Sequence, residues 1–234
     1  MSALAAVALA VAAAAAPEYR VAPFGTHTTG LLDADATAWS GAQIISWGPA
    51  PYPTRFRALW GEAGLFLRFD ASDPSPWHTM TQRDDHLWDE EVVEIFLDLD
   101  RSGRDYAEIE ISPANVVCDV RMISPSPDKK MDLAWNLDGL ETRVRFDKTA
   151  GKVTGWTATA FVPWAGLRSL PSASHVALPP RPGDSWRFNV FRIERPGGPA
   201  APTAGAVEAA WSKPPGASFH VPAVFRKFVF DPVH

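Results

Sequence analysis

Among 234 residues there is one cysteine, Cys118, and the chain is short of basic charge: 22 Lys and Arg stand against 27 Asp and Glu, a formal charge of −5. One thiol closes no internal bridge, so a disulfide scaffold is excluded and the redox compartment is left open. Without a basic excess there is no footprint for the counterion release that drives phosphate-backbone binding, which argues against a nucleic-acid partner. Long apolar runs are missing too. The stretch Met1–Ala16 is almost wholly Ala, Val and Leu, yet too short for a bilayer span of ~20 apolar residues. It matches the hydrophobic stretch of a secretory signal, so residues 1–16 read as a signal segment and the product as secreted or periplasmic. The absence of Lys or Arg before the run and Pro17 directly after it speak for the alternatives, a mis-assigned start or an Ala-rich tail. Enzyme signatures are also lacking: there is no G-x-S-x-G elbow, Walker loop, G-x-G-x-x-G, H-E-x-x-H or C-x-x-C.

What is present is a β pattern cut by turns, in a chain with 22 Pro and 16 Gly. Thr54–Trp60 and Leu65–Asp70 flank a Gly-bounded loop, a hairpin signal. Val92–Asp98 and Tyr106–Ser112 flank a polar turn. In the second of these, Ala107, Ile109 and Ile111 alternate with Glu108 and Glu110, which predicts one buried face and one wet or functional face. Val116–Ile123 places Cys118 among Val116, Val120 and Met122, as a core thiol. Thr142–Phe146, Val153–Val162, Ser185–Glu194 and Arg226–Phe230 bring the total to roughly nine to eleven strands. No stretch keeps a helical period, and the proline clusters read as surface loops. Residues 17–234 are therefore expected to form one all-β domain, an antiparallel β-sandwich or jelly roll with long loops.

Two features depart from an ordinary sandwich. Residues 83–110 hold eleven acidic side chains against Arg83, Arg101 and Arg104, and such a concentration repels itself unless cations or polar ligands offset it. Within it, His78 and His86 near Asp84, Asp85, Asp89, Glu90 and Glu91 offer imidazole and carboxylate for a divalent metal, though without a recognised ligand spacing; a solvated acidic loop is the ordinary reading. Asp98-Leu-Asp100-Arg-Ser102-Gly103 copies the opening of a calcium loop, with Asp98 and Asp100 as the metal candidates and a plain hairpin turn as the alternative. The second feature is ten tryptophans. Trp60, Trp156 and Trp186 lie in strands and read as core, whereas Trp77, Trp88 and Trp211 lie in polar loop sequence. A loop indole stacks on the apolar face of a sugar ring while carboxylates, Asn and Arg bind its hydroxyls, which makes glycan binding the leading reading.

The run Trp88–Asp98, the strand Tyr106–Pro113, Gly155-Trp156 with Val162-Pro163-Trp164, Trp186–Arg192, and Trp211-Ser212 with Phe219–Pro222 occur in this order. Together they resemble carbohydrate-binding module family 9 and its DOMON-like relatives, over most of residues 30–231. The resemblance implies a β-sandwich holding a sugar between two tryptophans, with calcium as a structural ion and a mono- or oligosaccharide as partner. Carried over by position, Trp88 and Trp211 are the stacking aromatics, Glu94 is the strand carboxylate on the sugar hydroxyls, and Asn189 and Arg192 supply polar contacts. One departure bears on sugar specificity: where the family places Gln and Arg toward the ligand, this chain has Glu108 and Glu110.

Two other functions stay open. A redox domain binding haem or a metal would use Met80 or Met122 with a His as axial ligands. A glycoside hydrolase would use two of the clustered carboxylates.

Overall fold

A computed structural model describes residues 17–24 and 30–232; the Met1–Ala16 segment read as an export signal lies outside the described residues. Strand formation follows the alternation of the sequence. In chain order the strands are β1 (Tyr19–Pro23), β2 (Ile45–Trp47), β3 (Thr54–Trp60), β4 (Gly64–Ser72), β5 (Val92–Asp98), β6 (Tyr106–Ile111) and β7 (Val117–Ser124). They continue with β8 (Lys130–Asp132), β9 (Glu141–Thr149), β10 (Lys152–Pro163), β11 (Ser185–Glu194), β12 (Val207–Ala210) and β13 (Arg226–Phe230). One short helix, α1, follows β10 at Trp164–Leu167. Among the described residues no helix is long and apolar enough to cross a membrane.

The strands form a β-sandwich. One sheet runs β8-β7-β6-β5-β11-β13-β1, with β12 also on β11, and the other runs β1-β3-β4-β10-β9, with β2 also on β3. The two are joined because β1 changes partner along its length: Tyr19, Arg20 and Val21 pair with β13, then Ala22 and Pro23 pair with β3. A strand that switches sheets makes a corner of the sandwich. Both pairings of β1 are parallel, so the expected all-antiparallel sandwich holds for the described pairings except at this corner. The strands the pattern passes over are β1, β2, β8 and β12. Each has only three to five residues, too few for alternation to register.

Between the sheets, Val93, Ile95 and Leu97 of β5 and Trp186, Phe188 and Val190 of β11 meet Phe56 and Ala58 of β3, Leu67 and Phe69 of β4, and Trp156 of β10. Tyr19 sits where the layers meet, its ring 5.4 Å from Phe56, 5.6 Å from Phe188 and 5.5 Å from Phe228. Its hydroxyl donates to the Gln43 carbonyl at 2.7 Å and accepts the Ala58 N–H at 2.6 Å.

The other face of the first sheet is not wet. Val92, Phe96, Tyr106, Cys118, Val120, Met122, Phe191 and Ile193 form a second apolar layer with Leu87 and Phe225 from flanking segments. Cys118 is buried in this layer, as a core thiol should be. Glu108 and Glu110 point to the same side, yet they are only 5% and 0% exposed. The expected division into a buried and a wet face is thus replaced by two buried faces, because the segments before β5 and after β12 roof the sheet.

Replacing Tyr19 with Phe keeps the ring packing but leaves a buried N–H and a carbonyl unpartnered. Urea unfolding is expected to show a loss of about 1–3 kcal/mol with an unchanged slope.

Candidate functional site

In β5 and β6 side chains alternate between faces, and the register places Glu94 opposite Glu110 and Phe96 opposite Glu108. The three glutamates therefore share the roofed face of the first sheet, and one carboxylate oxygen of each lies within 4.8 Å of the others. A cavity of about 330 Å³ lies over them, bordered by Trp88, Asp89, Glu94, Glu108, Lys129, Arg195, Glu208, Phe219 and His220. Glu94 is 2% exposed, and its Oε1 and both oxygens of Glu110 have no hydrogen-bond donor. Burial, reinforced by neighbouring carboxylates, holds Glu94 and Glu110 well above the usual carboxylate range. Burial pushes Glu108 up to about 7.

Most of the other acids in the cluster are framework. Glu90 accepts the N–H of Thr79 at 2.8 Å and of Met80 at 3.3 Å, and Glu91 accepts that of Trp77 at 3.0 Å. Asp85 accepts from the N–H groups of Thr81 and Gln82 at 3.1 and 2.9 Å. These bonds fix the segment that carries Trp88. The Trp88 ring, half-buried, stacks on His86 with centroids 4.5 Å apart and planes at 20°, and its carbonyl accepts from Arg195 Nη2 at 3.2 Å. Arg195 also pairs with Glu208 at 3.2 Å. His86 is thus a stacking partner, and neither it nor His78 joins a cluster of potential metal ligands among the described residues.

Trp88, Glu94, Glu108 and Glu110 are brought together; the other sequence-predicted residues are not. Asn189 faces the same side but is fully buried, its amide exchanging hydrogen bonds with the Ser212 carbonyl at 2.8 Å and the Ser212 N–H at 3.0 Å. It pins the roof and presents nothing to the cavity. Arg192 pairs with Val93, on the opposite face, where it bonds Asp73 and Glu194 and lies 4.9 Å over the Trp156 ring. Trp211 also leaves the cavity and packs on Phe188, centroids 5.2 Å apart. Trp77, the other loop indole, donates Nε1 to the Arg195 carbonyl at 2.7 Å as part of the frame.

Sequence reading missed Lys129, Arg195, Glu208, Phe219 and His220. The pair Phe219-His220 stands in the quoted motif and was the available signal. His220 stacks on Phe96 at 5.0 Å, its Nδ1 lies 3.0 Å from the Tyr106 hydroxyl, and burial depresses it to about 3, so the ring is neutral.

At the turn after β5, Asp98 accepts the Gly103 N–H at 3.0 Å, and Asp100 accepts the Ser102 N–H at 3.0 Å and contacts His175 Nδ1 at 2.7 Å. That leaves Asp98 Oδ1 as the carboxylate oxygen without a partner. Calcium takes 6–8 oxygens, so these two side chains alone do not make a calcium site. A larger cavity, about 600 Å³, lies beside Asp100, His175, Arg181 and Asp184; its Asp100 and His175 are already paired with one another.

No family model matches the chain. A curated relative, a protein called "Extracellular protein" from Arthroderma benhamiae, is 28% identical over 192 residues, 77% of this chain and 80% of that one. A candidate carbohydrate-binding protein from Bacteroides uniformis superposes with a TM-score of 0.67 at 12% identity, covering 91% of this chain and 98% of the other. A family 9 carbohydrate-binding module from Caldicellulosiruptor kristjanssonii, solved with cellotriose, superposes with a TM-score of 0.60 at 14% identity, over 92% and 95% of the two chains. The same module solved with glucose gives 0.60, 14%, 92% and 96%. The fold is that of carbohydrate-binding module family 9. At these identities the likeness is one of architecture, and the polar contents of the family 9 fold are this chain's own.

A carboxyl whose pKa is raised on folding binds more protons folded than unfolded, so stability falls as pH rises between the ordinary and the raised value. Glu108, at about 7, and Glu91, pushed by burial to about 9, act in this sense. His220, depressed from 6.5 to about 3, acts oppositely but only below pH 6.5. From pH 6.5 to 9 the ligand-free protein is therefore expected to lose stability. Each full unit of one group's titration is about 1.4 kcal/mol, or roughly 3–6 °C in a chain of this size. Calorimetric Tm values that stay level or rise across that window would contradict the placement of these acids.

Proposed function

We propose that the protein is a non-catalytic carbohydrate-binding protein that takes a mono- or oligosaccharide into the cavity beside Trp88. The observation that carries this reading is a half-buried indole at the edge of an oxygen-rich cavity. A sugar has an apolar C–H face that suits the indole and a rim of hydroxyls that both donate and accept. Carboxyl oxygens accept hydrogen bonds from the hydroxyls, while the guanidinium of Arg195 donates to the hydroxyl oxygens. A concave site suits a short glycan or a chain end; a crystalline polysaccharide face would call for a flat array of aromatics.

Solved proteins of the same fold that hold cellotriose and glucose support this reading. Against hydrolysis, the clustered glutamates project from one face of one sheet and approach a ligand from the same side, whereas glycosidases flank the scissile bond with two carboxyls. An extracellular place of work agrees with the name of the fungal relative.

Isothermal titration with glucose, cellobiose and cellotriose is expected to detect binding, and Trp88→Ala to weaken it at least tenfold, about 1.4 kcal/mol. Silence of the unaltered protein toward every sugar tried, or full affinity in Trp88→Ala, would reject the proposal.

A further inference from the structure

The floor of the cavity asks more of a ligand than a neutral sugar supplies. Glu94, Glu108 and Glu110 are almost fully buried, and among the described residues no lysine or arginine forms an ion pair with any of them. Arg195 is engaged by Glu208, and Lys129 stands exposed at the rim. His220 is the nearest basic group, 4.0 Å from Glu108, and it is neutral. Glu94 borders the cavity with Oε1 lacking any donor, and Glu110 behind it has no donor on either oxygen. Buried acceptors without donors are costly, and charged ones more so. Burial makes these carboxyls keep their protons above the usual carboxylate range, with Glu108 and Glu110 sharing a hydrogen bond through such a proton; a partner that brings N–H donors and positive charge would take the place of those protons.

We infer that the cavity selects a sugar carrying a free amino group, whose ammonium is received by Glu94, Glu108 and Glu110. The inference rests on the sugar-binding reading of the same cavity. Three oxygens within 4.8 Å of one another leave a central point no more than about 2.8 Å from each, the length of a charge-assisted N–H···O bond. An ammonium has three donors and no acceptor, which matches three carboxylates once their protons have been released to solvent. A hydroxyl at that point brings one donor and no charge. A calcium ion takes 6–8 oxygens, and the triad offers too few without a shell of water.

The test is titration at pH 6.5 with glucosamine, glucose, N-acetylglucosamine and putrescine, and separately with calcium and manganese. Glucosamine is expected to bind at least tenfold tighter than glucose or N-acetylglucosamine, which have the ring without the charge. It should also bind tighter than putrescine, which has the charge without the ring. Glu110→Gln, nearly isosteric and behind the cavity, is expected to bring glucosamine to within about threefold of glucose while retaining the fold; Glu108→Gln serves if that variant does not fold. Equal binding of glucose and glucosamine would overturn the inference and leave the sugar-binding reading standing, whereas failure of every sugar would remove both. Binding of putrescine as tightly as glucosamine, or of a metal ion alone with no sugar preference, would also overturn the inference.

Discussion

A sheet with no wet face is the constraint on which the arrangement rests. Strands buried on both sides read as near-continuous apolar runs when nothing else is asked of them, and β11 approaches that pattern with Phe188, Val190, Phe191 and Ile193. Strands β5 and β6 break it with Glu94, Glu108 and Glu110 in the middle of the roofed face. Polar side chains there are desolvated by the roof, and the roof is held by polar tethers: Asn189 to Ser212, Glu90 to Thr79 and Met80, Arg195 to the Trp88 carbonyl. The cavity is the gap that these tethers leave open. Its floor is strand and its walls come from loops together with β8 and β12, so the floor is rigid and the aromatic wall at Trp88 is placed by hydrogen bonds of the loop backbone.

How much of this could be read from the sequence depends on parity. Glu108 and Glu110 lie on a strand with clear alternation, and the register brings Glu94 of the neighbouring strand to them. Asn189 and Arg192 are three residues apart on β11, and an odd separation on a strand sends side chains to opposite faces, so they were never compatible with one site. Trp211 follows a short strand, β12, whose Val-Glu-Ala-Ala sequence has no period to fix its direction. The roof was harder still. Nothing in the alternation of β6 says that its glutamate face is covered, because the covering residues, Leu87 and Phe225, belong to loops distant in sequence. Composition flagged the acidic cluster as a whole; only coordinates separate the acids that cap backbone N–H groups from those left without donors.

A shared fold does not say what a protein of that fold binds. A fold hosts function in a site grafted on it, and side chains at that site decide the chemistry. Here the architecture is shared with solved carbohydrate-binding modules, while the floor carries acids on β6 where the resemblance implies Gln and Arg. Exchanging a cation for an anion in a low-dielectric site reverses the sign of the field a ligand meets, so the shared architecture gives no warrant for a shared sugar.

The chain holds an internal control for this argument. Asp73, Glu91 and Glu194 form a second set of three buried carboxylates with oxygens within 4.8 Å of one another, on the opposite side of the first sheet. There the fold supplies its own cation: Arg192 is fully buried, bonds Asp73 at 3.1 Å and Glu194 more closely, and lies over the face of Trp156. Trp77 adds an N–H to Glu91, which keeps its proton to about pH 9. That set meets a buried cation of the fold's own, and its acids are themselves buried. The Glu94, Glu108 and Glu110 set has the same number of acids within the same 4.8 Å limit, no ion pair with a lysine or arginine among the described residues and no backbone donor to the free oxygens, and it opens into a cavity. A buried arginine is paired within one set and, among the described residues, none within the other, and on that difference rests the proposal of an outside partner.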